Sequence, residues 1–380
     1  MPAPDTSATG ITGYRWALHT LAILLALSTF MLIGFGGHVT SLDAGLAVPD
    51  WPGTFGYNMF MAPLDVWFFH EDTGRFWEHA HRLIAAIFVG PIGGILGLWL
   101  AFSPRGKWWL RLLGISIAVL VIAQALMGGF RVTEISTFLA FLHGVVGQLF
   151  FAIVIFAVVA TGPLWARRAP KPASERTYAG GFARFAAWGL VGTLVIQLAL
   201  GAAVRHYHAE RAIPDAPLSY GALVPPMNQA QLDKAILALP ENLVDRVPPQ
   251  TTAGDVHLHF THRAWAVVVC VVAVFAGWLS VVALGGRGEV FAPLLYVGCL
   301  LAAQVMVGIM TVWAEINPSF ATLHQSLGAL VLASCVWFAC RVHIVSALED
   351  PGRRRQQEPE KPEAAEREAE ESLVASGSAA

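Results

Sequence analysis

Eight apolar runs, near 16–37, 78–101, 109–130, 138–160, 184–204, 260–284, 290–312 and 320–344, divide this 380-residue chain. Each approaches or exceeds the ~20 residues an α-helix needs to cross a bilayer. In lipid every backbone N–H and C=O must be satisfied within the chain, which leaves only helices and closed barrels. Apolar runs this long and continuous specify helices. Composition points the same way: 13% of residues are charged, against about 25% in soluble domains. The expected fold is all-α and integral to the membrane, with eight transmembrane helices and the lipid bilayer as first partner. The first run lacks a convincing small-residue cleavage site, so it reads as a retained helix and not as a leader.

Basic residues in the short loops set the orientation. Arg105, Lys107 and Arg111 share one loop, and Arg167, Arg168, Lys171, Arg176 and Arg184 share the next of the same parity. Arg287 and Arg353–Arg355 follow on that side. The opposite side carries Arg75, Arg131, and Arg205, Arg211, Lys234 and Arg246 spread over the long loop that follows run five. Both termini are therefore expected in the cytoplasm, with the chain in the inner (plasma) membrane. A net charge of −2 gives no footing for nucleic acid, and none is expected as a partner. Cys270, Cys299, Cys335 and Cys340 all fall inside apolar runs, where they read as packing residues and not as a disulfide framework. Residues 346–380 are rich in Glu, Arg, Ala and Pro and read as a disordered tail. The stretch "MNQAQLDKAILALPENLVDRV" in the 206–256 loop has the pattern of an amphipathic helix.

The chain repeats itself. "HAHRLIAAI" in the second run matches "HFTHRAWAV" in the sixth, and "FLHGVVGQL" in the fourth matches "TLHQSLGAL" in the eighth. His81 and His143 are separated by the same 62 residues as His262 and His324 (143 − 81 and 324 − 262). Arg82 and Arg263 follow the first histidine of each pair; Gly147 and Gly328 come four residues after the second. Runs three, five and seven share Q-x-x-x-G: Gln124/Gly128, Gln197/Gly201 and Gln304/Gly308. Run one departs, with Phe30 before Gly34. Two tandem four-helix halves of even helix number insert the same way, which implies bundles related by a pseudo-twofold axis along the membrane normal.

His81, His143, His262 and His324 lie near the outer ends of even-numbered helices, at similar depth. Two histidines on facing helices in an apolar bundle can take the two axial positions of haem iron. Arg82 and Arg263, next to them, are placed to pair with propionates. A zinc site is less well supported, because neither pair has third and fourth ligands nearby. Hydrogen-bonded packing histidines, snorkelling arginines and close-packing glycines are the structural alternatives; the matched pairs weigh against them. His79 should point away from His81, and His38, His206, His208 and His257 read as solvated.

Glu78 lies three residues before His81 and four before Arg82, a spacing that puts all three on one helical face. Its counterpart in the second half is His259. Ligation is duplicated but the carboxylate is not, which points to chemistry in the first half.

These elements resemble the haem A synthase family. They are "GGHVTSLDAGLAVPDWP" after run one, then "EHAHRL", "QALMGGFRVTE", "FLHG", "QLALGAAVR", "THR" and "LHQSLGA", in order over residues 30–335. The resemblance implies two four-helix bundles and oxidation of a haem O methyl group to the formyl of haem A, by successive hydroxylation. It implies that His81 and His143 flank the substrate haem site in 16–165, that His262 and His324 hold haem b in 184–345, and that Glu78 is catalytic. Residues 1–15 and 166–183 are then a cytoplasmic tail and linker. Haem O, a haem O synthase and an electron-transfer partner become the expected partners, and a homo-oligomer is compatible with all of this. The chain departs from the family in having Val48 before "PDWP", no outer-loop cysteine, and a longer 206–256 loop. A di-haem electron-transfer cytochrome b explains the four histidines but not the Glu78/His259 difference. A proton-coupled transporter would bind no pigment.

Overall fold

The computed structural model describes residues 13–103, 107–166, 168–285 and 288–349. The tail 350–380 lies outside the described residues. Eight helices are long and apolar enough to cross a membrane: α1 (Gly13–Ser41), α2 (Thr73–Ala101), α3 (Trp108–Thr133), α4 (Thr137–Thr161), α5 (Tyr178–His206), α6 (Ala253–Leu284), α7 (Gly288–Trp313) and α8 (Pro318–Ala347). Helices α2 and α6 begin several residues before their apolar runs. Polar caps start them early: Asp72 accepts from the Gly74 N–H, and Thr252 with Asp255 forms a reciprocal capping box. His81 and His262 thus sit about two turns inside their helices. In α2 the ladder widens to a π-turn at Ala85–Val89. Pro91, one residue past it, has no N–H to return to the preceding turn.

Within residues 13–166, α1 packs on α2 and α4, α2 on α3, and α3 on α4. Residues 168–349 repeat the scheme, with α5 on α6 and α8, α6 on α7, and α7 on α8. Between the halves, α1 meets α8, α5 meets α4, and α4 meets α8. Exchanging the halves turns every one of these contacts into another that is present, as a twofold relation requires. The centre is α8: 78% of its most apolar window is buried, against 17–33% in the other seven. One apolar core, including Leu25, Leu96, Ile117 and Val154, fills the first half. A second, including Leu190, Val269, Leu332 and Phe338, fills the other. Exposed Leu27, Ile122, Val271 and Val274 lie on helix faces turned outward to lipid.

The repeat reaches further than the helices. Residues 48–57, "VPDWPGTFGY", and 213–222, "IPDAPLSYGA", form the same turn. Asp50 accepts from the Phe55 and Gly56 N–H groups, and Asp215 from those of Tyr220 and Gly221. Phe55 and Tyr220 both have positive φ, and Trp51–Pro52 and Ala216–Pro217 are both cis. Tyr220 donates its hydroxyl to the Ala212 carbonyl at 2.6 Å, and burial holds its phenol above the usual value, so the donor is kept. The stretch read as one amphipathic helix is two, Gln229–Leu237 and Glu241–Val244, because Pro240 cannot continue the first. Leu232 and Ile236 of the longer piece pack on Ile213, Tyr220, Val256 and Phe260. The extra length of the 206–256 loop therefore covers the second-half turn.

Arg82 and Arg263 hold these turns. Arg82 donates to the carbonyls of Val48, Asp50 and Gly53 at 2.7, 2.6 and 3.2 Å. Arg263 donates to those of Ile213, Asp215 and Leu218 at 3.3, 2.8 and 3.0 Å. The two sets correspond residue for residue. Arg263→Gln should free the 213–222 turn, costing about 2 kcal/mol or more of stability. Limited proteolysis of the purified protein should then cut within 206–256 at a rate the wild type does not show.

Candidate functional site

The four histidines form two pairs of nearly the same geometry. The rings of His81 and His143 have centroids 6.5 Å apart with planes at 73°; those of His262 and His324 are 6.4 Å apart at 77°. Metal–imidazole bonds of about 2 Å, with roughly 1 Å more from nitrogen to ring centre on each side, span about 6 Å. Each pair is therefore spaced to take one iron between its rings.

Each ring lies on a glycine of the neighbouring odd helix. A methyl group built on Gly36, Gly128, Gly201 or Gly308 would stand 2.9, 3.0, 2.9 or 2.8 Å from Cε1 of His81, His143, His262 or His324. The Q-x-x-x-G element is thus a histidine seat: glycine admits the ring. The residue four before it, Leu32, Gln124, Gln197 or Gln304, turns its backbone carbonyl toward the imidazole. Such a contact fixes ring orientation in a metal ligand. Nδ1 of His81, His143 and His324 is buried without a hydrogen bond of normal geometry, so these rings are not ordinary satisfied core histidines. The seat in α1 is Gly36, not Gly34, and Leu32 takes the place of glutamine. Adjacent small residues in "GFGG" left the register of that helix undetermined in the sequence. Gly308→Ala should displace His324 and empty the second-half pair while leaving the first intact, read as haem per chain by absorbance and mass.

Glu78 is 1% exposed. Its Oε1 accepts from Arg82 at 2.8 Å and its Oε2 from the Val48 N–H at 2.7 Å. It links helix, arginine and outer turn beside His81. The counterpart His259 is also buried, without a conventional Nδ1 partner. His79 faces the other way, toward Thr54 at 3.0 Å and the Trp67 ring at 4.3 Å. The Nη atoms of Arg82 and Arg263 go to turn carbonyls, a use that spacing alone did not suggest.

Two further residues join the first-half site. Arg131, in the last turn of α3, lies close enough to Glu78, His81 and His143 to act on each through its charge. His206, at the end of α5, reaches across from the second half: a methyl group on Gly144, next to His143, would meet its Nε2 at 3.6 Å. His206 is half-buried, not solvated. His38 is drawn in likewise, against Trp77 at 4.3 Å and Thr322 at 3.2 Å. Arg205 ties the halves on the outer side, pairing with Glu210 at 2.6 Å and Asp43 at 3.0 Å and donating to the Thr40 carbonyl.

Three curated proteins similar to this chain are each named heme A synthase. The one from Rhizorhabdus wittichii is 23% identical, over 84% of this chain and 92% of its own length. That from a Bradyrhizobium species is 26% identical over 90% and 93%, and that from Erythrobacter litoralis is 28% identical over 81% and 92%. The family profile described as COX15-CtaA, cytochrome oxidase assembly protein, matches residues 19–336. With both histidine pairs, Glu78 and both turns inside the matched span, the chain belongs to the COX15-CtaA family of cytochrome oxidase assembly proteins.

Proposed function

We propose that this protein is a haem A synthase: a multi-pass membrane oxidoreductase that converts a methyl group of haem O to the formyl group of haem A, by successive hydroxylation. The single observation that carries the reading is duplicated histidine seating with one unduplicated carboxylate, Glu78 against His259. The ring spacing and the glycine seats fit a haem in each half. His262 and His324 hold haem b, and His81 and His143 face the substrate ring. A bound haem supplies one-electron chemistry; the chain supplies position, exclusion of water and charge.

In the first half Arg82 clamps the 48–57 turn over the outer end of α2, and Glu78 is held rigidly beneath it. The carboxylate is presented in a low-dielectric site, where a fixed charge acts more strongly than in water. Its role is to orient or stabilise the reacting edge of the ring. A second reading of Glu78 rests on its hydrogen bond to Val48: the residue positions the turn and acts only through it. Electrons leave to a separate carrier, haem O is delivered by its synthase, and both termini lie in the cytoplasm across the inner (plasma) membrane.

The test is expression in cells that make haem O but no haem A, followed by mass analysis of membrane haems. Haem A should appear with the protein and be absent without it. Persistence of haem O alone, with the protein folded in the membrane, would overturn the proposal.

A further inference from the structure

The two halves share their histidine seats but not the polar groups beside them. Arg131 has Thr311 as its counterpart, and His206 has Ser41, by the same registers that match Gly128 with Gly308 and Gly36 with Gly201. Thr311 is satisfied by its own helix, donating to the Val307 carbonyl at 2.7 Å. Arg131 is not satisfied. Its Nε is buried without a partner, and among the described residues its side chain makes no hydrogen bond or ion pair. The nearby carboxylate is turned to other donors: the Glu78 oxygens accept from Arg82 and Val48. A guanidinium so placed inside a membrane helix is costly unless an anion meets it. Room is kept for its head: a methyl group on Gly45, between α1 and the outer turn, would stand 3.2 Å from Nη1. His206, whose Nε2 lies 3.6 Å from a methyl group built on Gly144, adds a neutral imidazole as a hydrogen-bonding group across the half boundary.

We propose that Arg131, assisted by His206, holds the carboxylate edge of the substrate ring in the first-half site, and so fixes which way the ring faces. This rests on the haem O reading above. The guanidinium binds carboxylates with two parallel hydrogen bonds, which orients a flat ring as well as attracting it. The second half, with Thr311 and Ser41, lacks this device. The halves should therefore differ in their demand for free carboxylates.

The experiment titrates the purified full-length protein, haem b retained, with haem O and with its dimethyl ester, following first-half binding by absorbance. Wild type should bind haem O about ten- to hundredfold more tightly than the ester, the range of a hydrogen bond to a charged group. Arg131→Gln should lower haem O affinity to the level of the ester, and Arg131→Lys should recover part of the difference. Retained haem b in the second half serves as the folding control within each variant. Equal wild-type affinity for haem O and ester overturns the proposal without any variant, as does undiminished discrimination in Arg131→Gln. Failure of wild type to bind either ring in the first half would instead remove the haem O reading on which it stands.

Discussion

Glu78→Ala should abolish haem A formation and leave the second-half haem bound. Glu78 is the carboxylate that the duplication did not copy, it is 1% exposed, and it sits one helical turn from His81. Its removal has two consequences. The charge beside the ring is lost, and Arg82 and the Val48 N–H lose an acceptor. The second loss costs about 1–3 kcal/mol for each buried group left unpaired, so alanine alone does not separate chemistry from scaffolding. Glu78→Gln does. Its amide oxygen can still accept from Val48 or from Arg82, though not from both, and the bonds from Arg82 to the turn carbonyls keep the turn docked, so the charge is lost with a single hydrogen bond. Haem A production by Glu78→Gln should fall on the order of a hundredfold or more, the scale of lost electrostatic or acid–base assistance, with haem O accumulating. Wild-type production by Glu78→Gln would assign the residue to the turn alone.

The second large effect divides the molecule by half. His262→Ala or His324→Ala should remove the second-half haem while the first-half pair still binds. His81→Ala or His143→Ala should do the reverse, ending haem A formation with haem b in place. Each ring is held by a separate glycine seat and the pairs share no helix, so losing one ligand need not disturb the other site. Haem per chain, with each haem identified by mass, reads the outcome. Loss of all pigment from every single variant would mean that one site spans both halves.

Hydropathy was enough for the eight helices, because a bilayer demands long apolar runs and little else in this chain satisfies it. The histidine pairs were equally plain: 62 residues separate both, since α3 and α7 with their connections are equally long. The repeated outer turns were hidden by a register change. Helices α2 and α6 are offset by 181 residues (262 − 81) but the turns by 165 (213 − 48). The difference is taken up between the second turn and α6, in the stretch that carries Gln229–Leu237 and Glu241–Val244, so a search at one period passes over "VPDWPGTFG" and "IPDAPLSYG". The arginines illustrate a different limit. Their place beside the histidines suggested propionate partners, but the carbonyls they meet come from a turn more than 25 residues away, a contact that local spacing does not contain. In the sequence Arg131 stands out only as one more outer-side charge. Its significance depends on what fails to pair with it, and that is visible only when the packing is known.

Mass-resolved extraction of haems from the purified protein tests the central claim most directly. The account predicts haem b together with haem O, haem A or an oxidised intermediate between them, one ring for each histidine pair. Two haem b per chain, in cells supplied with haem O, would contradict it and make the protein an electron-transfer cytochrome.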